Sequence, residues 1–284
     1  MKINVAKSAG FCFGVKRALD IALKTAKSKK LVYMLEDIVH NETVVRQINK
    51  AGIRKIDNLA SGKNKILLIR AHGAPLAVIR KARISGYEII DATCPMVKEI
   101  HKIAKDMENI GYDIIVIGDK KHDEVVGIIG QLESKAIVVD SLENIPIKKL
   151  KRIKKACIVV QSTQNLDNVE KIVGALRNYI KDLRFFNTIC MPTRIKQKDI
   201  KIMPQDNEIM MIIGSKTSAN TKRLYEISRS LNKQTYWVNS TKDLRRAWFK
   251  KAKTVGITAG ASTPNSTTQE IIKHIRQIHN PSTI

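Results

Sequence analysis

Three stretches of this chain share one grammar: a short apolar run, a polar turn, a cysteine and then a helix-forming segment. The clearest is Glu88-Ile-Ile-Asp-Ala-Thr-Cys-Pro95, and Phe185-Phe-Asn-Thr-Ile-Cys-Met-Pro192 repeats it. Ile3-Asn-Val-Ala-Lys-Ser-Ala-Gly-Phe-Cys-Phe-Gly14 is a looser copy at the N-terminus. The cysteines stand at 12, 94 and 190, which are 82 and 96 residues apart. Recurrence of one unit along a chain constrains the fold more than any local propensity. It predicts three arms, each delivering one thiolate to a common centre.

Between the cysteines, strand and helix patterns alternate. After Cys12, residues Val15, Ala18, Leu19, Ala22, Leu23 and Ala26 fall at helical spacing to about residue 29. A strand over 31–35, a loop through His40 and Asn41, and a helix over 42–51 stopped by Gly52 follow. A strand over 66–70 leads to Ala71-His-Gly-Ala-Pro75, and a strand over 87–91 feeds Cys94. The second arm runs in the same order: helix 97–109, strand 114–117, a helix to 131, and strands 136–139 and 157–160. A helix to about 180 and a strand at 185–187 then lead to Cys190. The third has strands 209–213, 235–238 and 255–258, with Pro264 suited to the first turn of a closing helix. It lacks a cysteine strand of its own, and the strand before Cys12 would complete it. The section 193–202 is weakly periodic, and Pro204 is expected to limit any helix there. Alternation of this kind means parallel α/β units. The expected fold is α/β: three similar lobes with parallel sheets around a pseudo-threefold centre, divided as 13–95, 96–191 and 192–284 completed by 1–12.

The net charge is +25 over 284 residues, but the lysines are dispersed, with no long basic block or RNA-binding signature. With five Phe and two Trp, stacking platforms for single strands are not expected, nor is a nucleic-acid partner. A solvated lysine-rich surface, part of it suited to an acidic redox partner, accounts for the charge. No apolar run approaches the roughly 20 residues of a membrane span, and no signal-peptide pattern opens the chain, so a cytoplasmic location is expected. Thiols stay reduced there, so four distant cysteines read as metal, cluster or core residues rather than disulfides.

The arms also align polar residues ahead of their helices. The first loops give His40-Asn41-Glu42, His122-Asp123-Glu124 and Ser218-Ala219-Asn220; the second give His72, then Ser162 or Thr163, then Ser262. Helix N-termini with hydroxyls and imidazoles make donors for an anion. Read singly, the hydroxyl residues are plain N-caps and Glu124 an acidic helix start. Near a hydroxyl leaving group, Glu124 could instead supply its proton. Cys157, inside an apolar strand, reads as core; His101, His274 and His279 read as surface. Three thiolates could hold zinc or an iron–sulfur cluster. The C-x-x-C clip usual for zinc is absent, and a 4Fe–4S cluster on three cysteines leaves one iron open.

Taken together, these motifs resemble the 4-hydroxy-3-methylbut-2-enyl diphosphate reductase family, also called LytB or IspH. The matching pieces are Gly10-Phe-Cys-Phe-Gly-Val15, Val39-His-Asn41, His72-Gly73, Asp91-Ala-Thr-Cys-Pro95, His122-Asp-Glu-Val125, Gly214-Ser215 with Ser218 and Asn220, and Val255-Gly-Ile-Thr-Ala-Gly-Ala-Ser-Thr-Pro264. They run in the family's order along essentially the whole chain. The resemblance implies a 4Fe–4S cluster on Cys12, Cys94 and Cys190 whose open iron binds the substrate's 4-hydroxyl. It implies loss of that hydroxyl as water with two electrons and two protons, giving isopentenyl and dimethylallyl diphosphate, the last step of the non-mevalonate isoprenoid pathway. His40, His72, Ser218, Asn220 and Ser262 match diphosphate-binding positions, and His122 a histidine close to that group and to the acid. Glu124 matches the residue that relays the proton. Ser162 or Thr163 matches the hydroxyl that orients the substrate. A one-electron donor of ferredoxin or flavodoxin type, acidic in charge, is the expected partner. The chain departs from the family at Ala219, where a second serine is usual, at Ser162, usually threonine, and in the loose pattern after Cys190.

Two rival functions fit some of the same residues. A three-cysteine 4Fe–4S hydro-lyase would need no net electrons, but a carboxylate substrate calls for bidentate arginines, and none of the aligned sets contains one. A basic nucleic-acid-binding protein with a structural cluster would show affinity falling steeply with salt.

Overall fold

The computed structural model describes residues 1–279. Three four-stranded sheets, all parallel, carry the chain. The first orders Arg54–Lys55, Leu31–Met34, Lys65–Ile69 and Glu88–Asp91; the second orders Ile137–Val139, Asp113–Ile117, Lys155–Val160 and Asp182–Phe185. The third orders Thr235–Val238, Ile209–Ile213, Thr254–Ala259 and Lys2–Val5. The N-terminal strand does complete the third lobe, with Lys2 opposite Thr254 and Val5 opposite Ile257. Each lobe therefore repeats one topology: taken in the order of the arm, its strands lie 2-1-3-4. The α/β three-lobe expectation is met in all three sheets.

The central strands are near-continuous apolar runs, Ile209–Ile213 and Lys155–Val160 among them, as parallel sheets covered on both faces require. In every lobe strand 1 lies beside strand 3. Their following connections leave for opposite faces, and ligands of open α/β sheets bind at that divergence, beyond the carboxyl ends of the strands. The loops aligned above are the ones that emerge there.

The described residues form two compact units. One comprises Met1–Val15, His40–Val45 and the described residues from Met191 on, and so contains the third sheet. The other comprises Lys16–Val39 and Arg46–Cys190, with the first two sheets. Among the described residues no helix is long and apolar enough to cross a membrane.

Two expectations need correction. A helix spans Met191–Asp206 and contains Pro204. It buries Thr193, Lys196 and Gln197 along with Ile200, so polar residues occupy core positions and erase the apolar period. Pro204 falls in the last turn, where Asn232 Nδ2 bonds its carbonyl at 3.2 Å. His101 is not a surface residue: its imidazole packs against Gly73 and Gly127. His274 is exposed, and His279 lies 3.0 Å from the chain's amino group. Cys157 is fully buried, and burial pushes its thiol up to about 12.

Candidate active site

Each aligned cysteine immediately precedes a helix: Cys12 before Phe13–Thr25, Cys94 as the N-cap of Pro95–Asn109, and Cys190 before Met191–Asp206. The helix dipole there favours an anionic sulfur. The Val15 N–H donates to Cys12 Sγ at 3.4 Å. The backbone N–H of each cysteine is held in the same way in every lobe. Cys12 donates to Ala261 O at 3.1 Å, Cys94 to Ala71 O at 2.9 Å and Cys190 to Ser162 O at 3.1 Å. Each acceptor stands two residues past the last residue of strand 3: Ala259, Ile69 and Val160. The three cysteines therefore share one backbone seating, one copy in each lobe.

The strand-3 loops close one turn in all lobes. Gly73 N–H donates to Arg70 O, Gln164 to Gln161 O and Thr263 to Gly260 O, at 3.0–3.1 Å. His72, Thr163 and Ser262 are thereby equivalent, and so are Ala71, Ser162 and Ala261, whose carbonyls hold the cysteines. At the first loops the N-caps are Asn41, whose Oδ1 accepts from Thr43 and Val44, then His122 and Ser218. His40 therefore stands one position before His122 and Ser218, and Glu124 is equivalent to Asn220. Those two do the same work. Glu124 Oε1 accepts from Ser162 N–H at 2.5 Å, and Asn220 Oδ1 accepts from Ala261 N–H at 2.9 Å.

In the first unit, these bonds join Cys12, Asn220 and Ala261, and Ser262 Oγ donates to His40 O at 3.0 Å. Ser218 Oγ accepts from Thr221 N–H, which leaves Ala219 in the first turn of the helix Ala219–Leu231. Glu42 is structural: it accepts from Ser215 Oγ at 2.7 Å and from Asn239 Nδ2 at 3.2 Å. Asn220 is 4% exposed, and its buried Nδ2 has no hydrogen-bond partner among the described residues. A buried donor without an acceptor is costly, and an anionic ligand would satisfy it. Gly260 opens the Ser262 turn. A Cβ there would lie 2.1 Å from Thr221 Oγ1 and 3.4 Å from Thr263 Oγ1. Gly260→Ala is expected to lower stability by ~1–3 kcal/mol in chemical denaturation, an overpacking cost.

In the second unit, Glu124 is 1% exposed, and Ser162 Oγ donates to its Oε2 at 2.8 Å. Burial raises its pKa, outweighing the two bonds from Ser162 that favour the anion. His122 Nδ1 accepts from Glu124 N–H at 3.1 Å, so a neutral His122 carries its proton on Nε2. The His72 and His122 rings meet edge to face, centroids 5.4 Å apart. All thirteen residues expected at the site thus fall into two groups, one within each unit.

Three participants escaped the sequence reading. Arg70 Nη1 pairs with Asp123 Oδ2 at 2.6 Å, and its Nε donates to Gly73 O, tying the His122 helix to the His72 turn. Half-buried His101 supports the same turn: a Cβ on Gly73 would lie 2.7 Å from its Cε1. Burial chiefly, with Lys98 adding, holds the His101 pKa down at about 4, against the pull of Asp91. A depressed folded-state value means stability present above the ordinary value of 6.5 and lost as pH falls through the folded one. The loss is about 3 kcal/mol. Melting midpoints should fall between pH 7 and pH 4, and His101→Gln should flatten that slope; an identical slope in the variant would contradict the assignment. Lys196, buried in the helix Met191–Asp206, is the third. Nothing local in the sequence marks these residues, because their burial is set by distant segments.

The profile of the LytB protein family matches residues 3–276. The chain is 38% identical over 278 residues to 4-hydroxy-3-methylbut-2-enyl diphosphate reductase of Geotalea daltonii, covering 98% of both chains. It is 38% identical over 280 residues to the enzyme of the same name from Aquifex aeolicus, covering 97% of this chain and 96% of that one. A solved (E)-4-hydroxy-3-methyl-but-2-enyl diphosphate reductase, described as the terminal enzyme of the non-mevalonate pathway, superposes with a TM-score of 0.72 at 37% identity, covering 98% and 100% of the two chains. The E-1-hydroxy-2-methyl-but-2-enyl-4-diphosphate reductase of Plasmodium falciparum gives 0.88 at 29%, covering 96% of this chain and 87% of that one. With full-length matches in sequence and fold, and with the thrice-repeated cysteine presentation behind them, this chain belongs to the LytB family.

Proposed function

We propose that the chain reductively removes the hydroxyl of (E)-4-hydroxy-3-methylbut-2-enyl diphosphate, the compound its relatives are named for reducing, giving isopentenyl and dimethylallyl diphosphate. The observation that carries this reading is the identical seating of Cys12, Cys94 and Cys190, with Glu124 buried against the loop that seats Cys190. The three cysteines would hold one 4Fe–4S group, one from each lobe of the division 13–95, 96–191 and 192–284 with 1–12. Thiols at helix N-termini, with first-turn N–H groups to stabilise sulfur, suit such a group. When bound, it supplies electrons singly and one iron not taken by cysteine.

The chain's own residues do the rest. His40, His72, Ser218, Asn220 and Ser262 present N–H and O–H donors to the diphosphate, with the first-turn backbone at Ala219 replacing a side-chain hydroxyl. His122 lies beside His72 and would offer its Nε2 proton to the same group. Thr163 and Ser162 orient the substrate's hydroxyl. Burial raises the Glu124 pKa above the ordinary carboxylate value and so favours its proton-carrying form. Protonated at Oε2, it donates to Ser162 Oγ, whose own hydrogen then turns to the leaving hydroxyl. That hydroxyl departs as water, and two electrons and a second proton complete the allylic product. Arg70 is engaged by Asp123, so the cage reads phosphate through neutral donors rather than a guanidinium fork. An acidic one-electron carrier of ferredoxin or flavodoxin type is the partner that the +25 charge suits.

The test is an anaerobic assay with the allylic diphosphate and a one-electron reductant, both products being quantified. Formation of both, at two electrons per turnover, is expected. Water added or removed without consumption of reductant would make the protein a hydro-lyase.

A further inference from the structure

Lys196 is 2% exposed, and the reaction gives it no part. Its ammonium donates to Gly10 O and Ala259 O, each at 3.0 Å, and to Ser8 O at shorter range. Acceptors that are all carbonyl oxygens match the charged form of the side chain. The placement of those carbonyls matters. Ser8 and Gly10 belong to the turn that leads into Cys12, and Gly10 holds a positive φ of 97°. Ala259 ends the strand whose loop seats the Cys12 N–H through Ala261. Lys196 itself stands in the second turn of the helix that begins one residue after Cys190. One buried cation therefore fastens the approaches to two of the three aligned cysteines.

Burying an ammonium is expensive unless it does something that packing cannot. We propose that Lys196 is a positioning residue that fixes the Cys12 turn on the Cys190 helix and sets the reduction potential of the group those cysteines hold. The inference rests on the cluster reading above. Three thiolates make that group anionic, and reduction adds further negative charge, so a fixed cation in low dielectric favours the reduced state. Asp199 is the natural counter-probe. It sits one turn further along the same helix and accepts from Ser8 Oγ at 2.6 Å, so it touches the same turn with the opposite sign.

The experiment is an EPR-monitored redox titration of the loaded protein and three variants. Lys196→Met should shift the potential to more negative values, and Lys196→Arg, which keeps charge and donors, should stay close to wild type. Asp199→Asn keeps an acceptor for Ser8 and should shift the potential the other way. A Lys196→Met potential equal to wild type would overturn the proposal, as would equal shifts in the Met and Arg variants, the mark of packing alone. Should Lys196→Met fail to fold, Asp199→Asn decides the matter: an unchanged potential there overturns it. A wild type without iron would instead defeat the underlying cluster reading, and iron analysis separates the two failures.

Discussion

Glu124→Gln is expected to lower turnover by ~10²–10⁴-fold, the usual worth of a positioned general acid, while iron content stays at the wild-type level. The glutamine can keep the local geometry. Its Oε1 accepts from Ser162 N–H as the carboxylate does, and its Nε2 donates to Ser162 Oγ, whose hydroxyl hydrogen is then freed. What it loses is the transferable proton. A second signature follows from burial, which raises the Glu124 pKa. A carboxyl raised on folding gives stability below its unfolded value that is lost as pH rises through the folded one. The wild type should therefore lose stability relative to Glu124→Gln as pH rises from the ordinary carboxylate range. Turnover should decline over the same ascent as the acid loses its proton. A variant with wild-type turnover, or a melting difference that does not change with pH, would remove Glu124 from the proton's path.

The second large effect is expected at the cysteines. Cys12→Ser, Cys94→Ser and Cys190→Ser should each abolish brown colour and nearly all activity, well beyond the roughly 10–100-fold cost of losing an outer-shell partner. The backbone bonds to Ala261, Ala71 and Ser162 do not involve the side chain, so the three variants should still fold. Cys157→Ser is the matched control. Its sulfur is buried within the apolar strand Lys155–Val160, and the hydroxyl would cost about 1–3 kcal/mol there without affecting colour. Measured on the purified proteins, retention of colour in any of the first three, or its loss in the fourth, would contradict the assignment.

What could be read in advance was whatever repeats. The strand–cysteine–helix units, the parallel sheets and the closing of the third sheet by Lys2–Val5 follow from apolar runs and from residues in matching frames. Positions whose meaning depends on an exact cap were harder. Asn41, His122 and Ser218 all cap helices, but as three different residue types they hide the one-residue offset of His40. The register of Thr163 likewise emerged only from the repeated turn at Gln161–Gln164. The helix over Met191–Asp206 was illegible for another reason: Lys196 and Gln197 are buried polar residues, so the apolar period that announces a helix is missing. Arg70, Asp123 and His101 depend on neighbours far away in sequence, and no local pattern encodes them.

The central claim is that one cysteine from each lobe shares a single iron–sulfur group. The most direct measurement is iron, acid-labile sulfide and zinc per chain in anaerobically purified protein, wild type and single serine variants alike. About four iron and about four sulfide are expected in the wild type, lost together when Cys12, Cys94 or Cys190 is replaced. Colourless protein carrying stoichiometric zinc, or a full cluster that survives replacement of one of those cysteines, would contradict it.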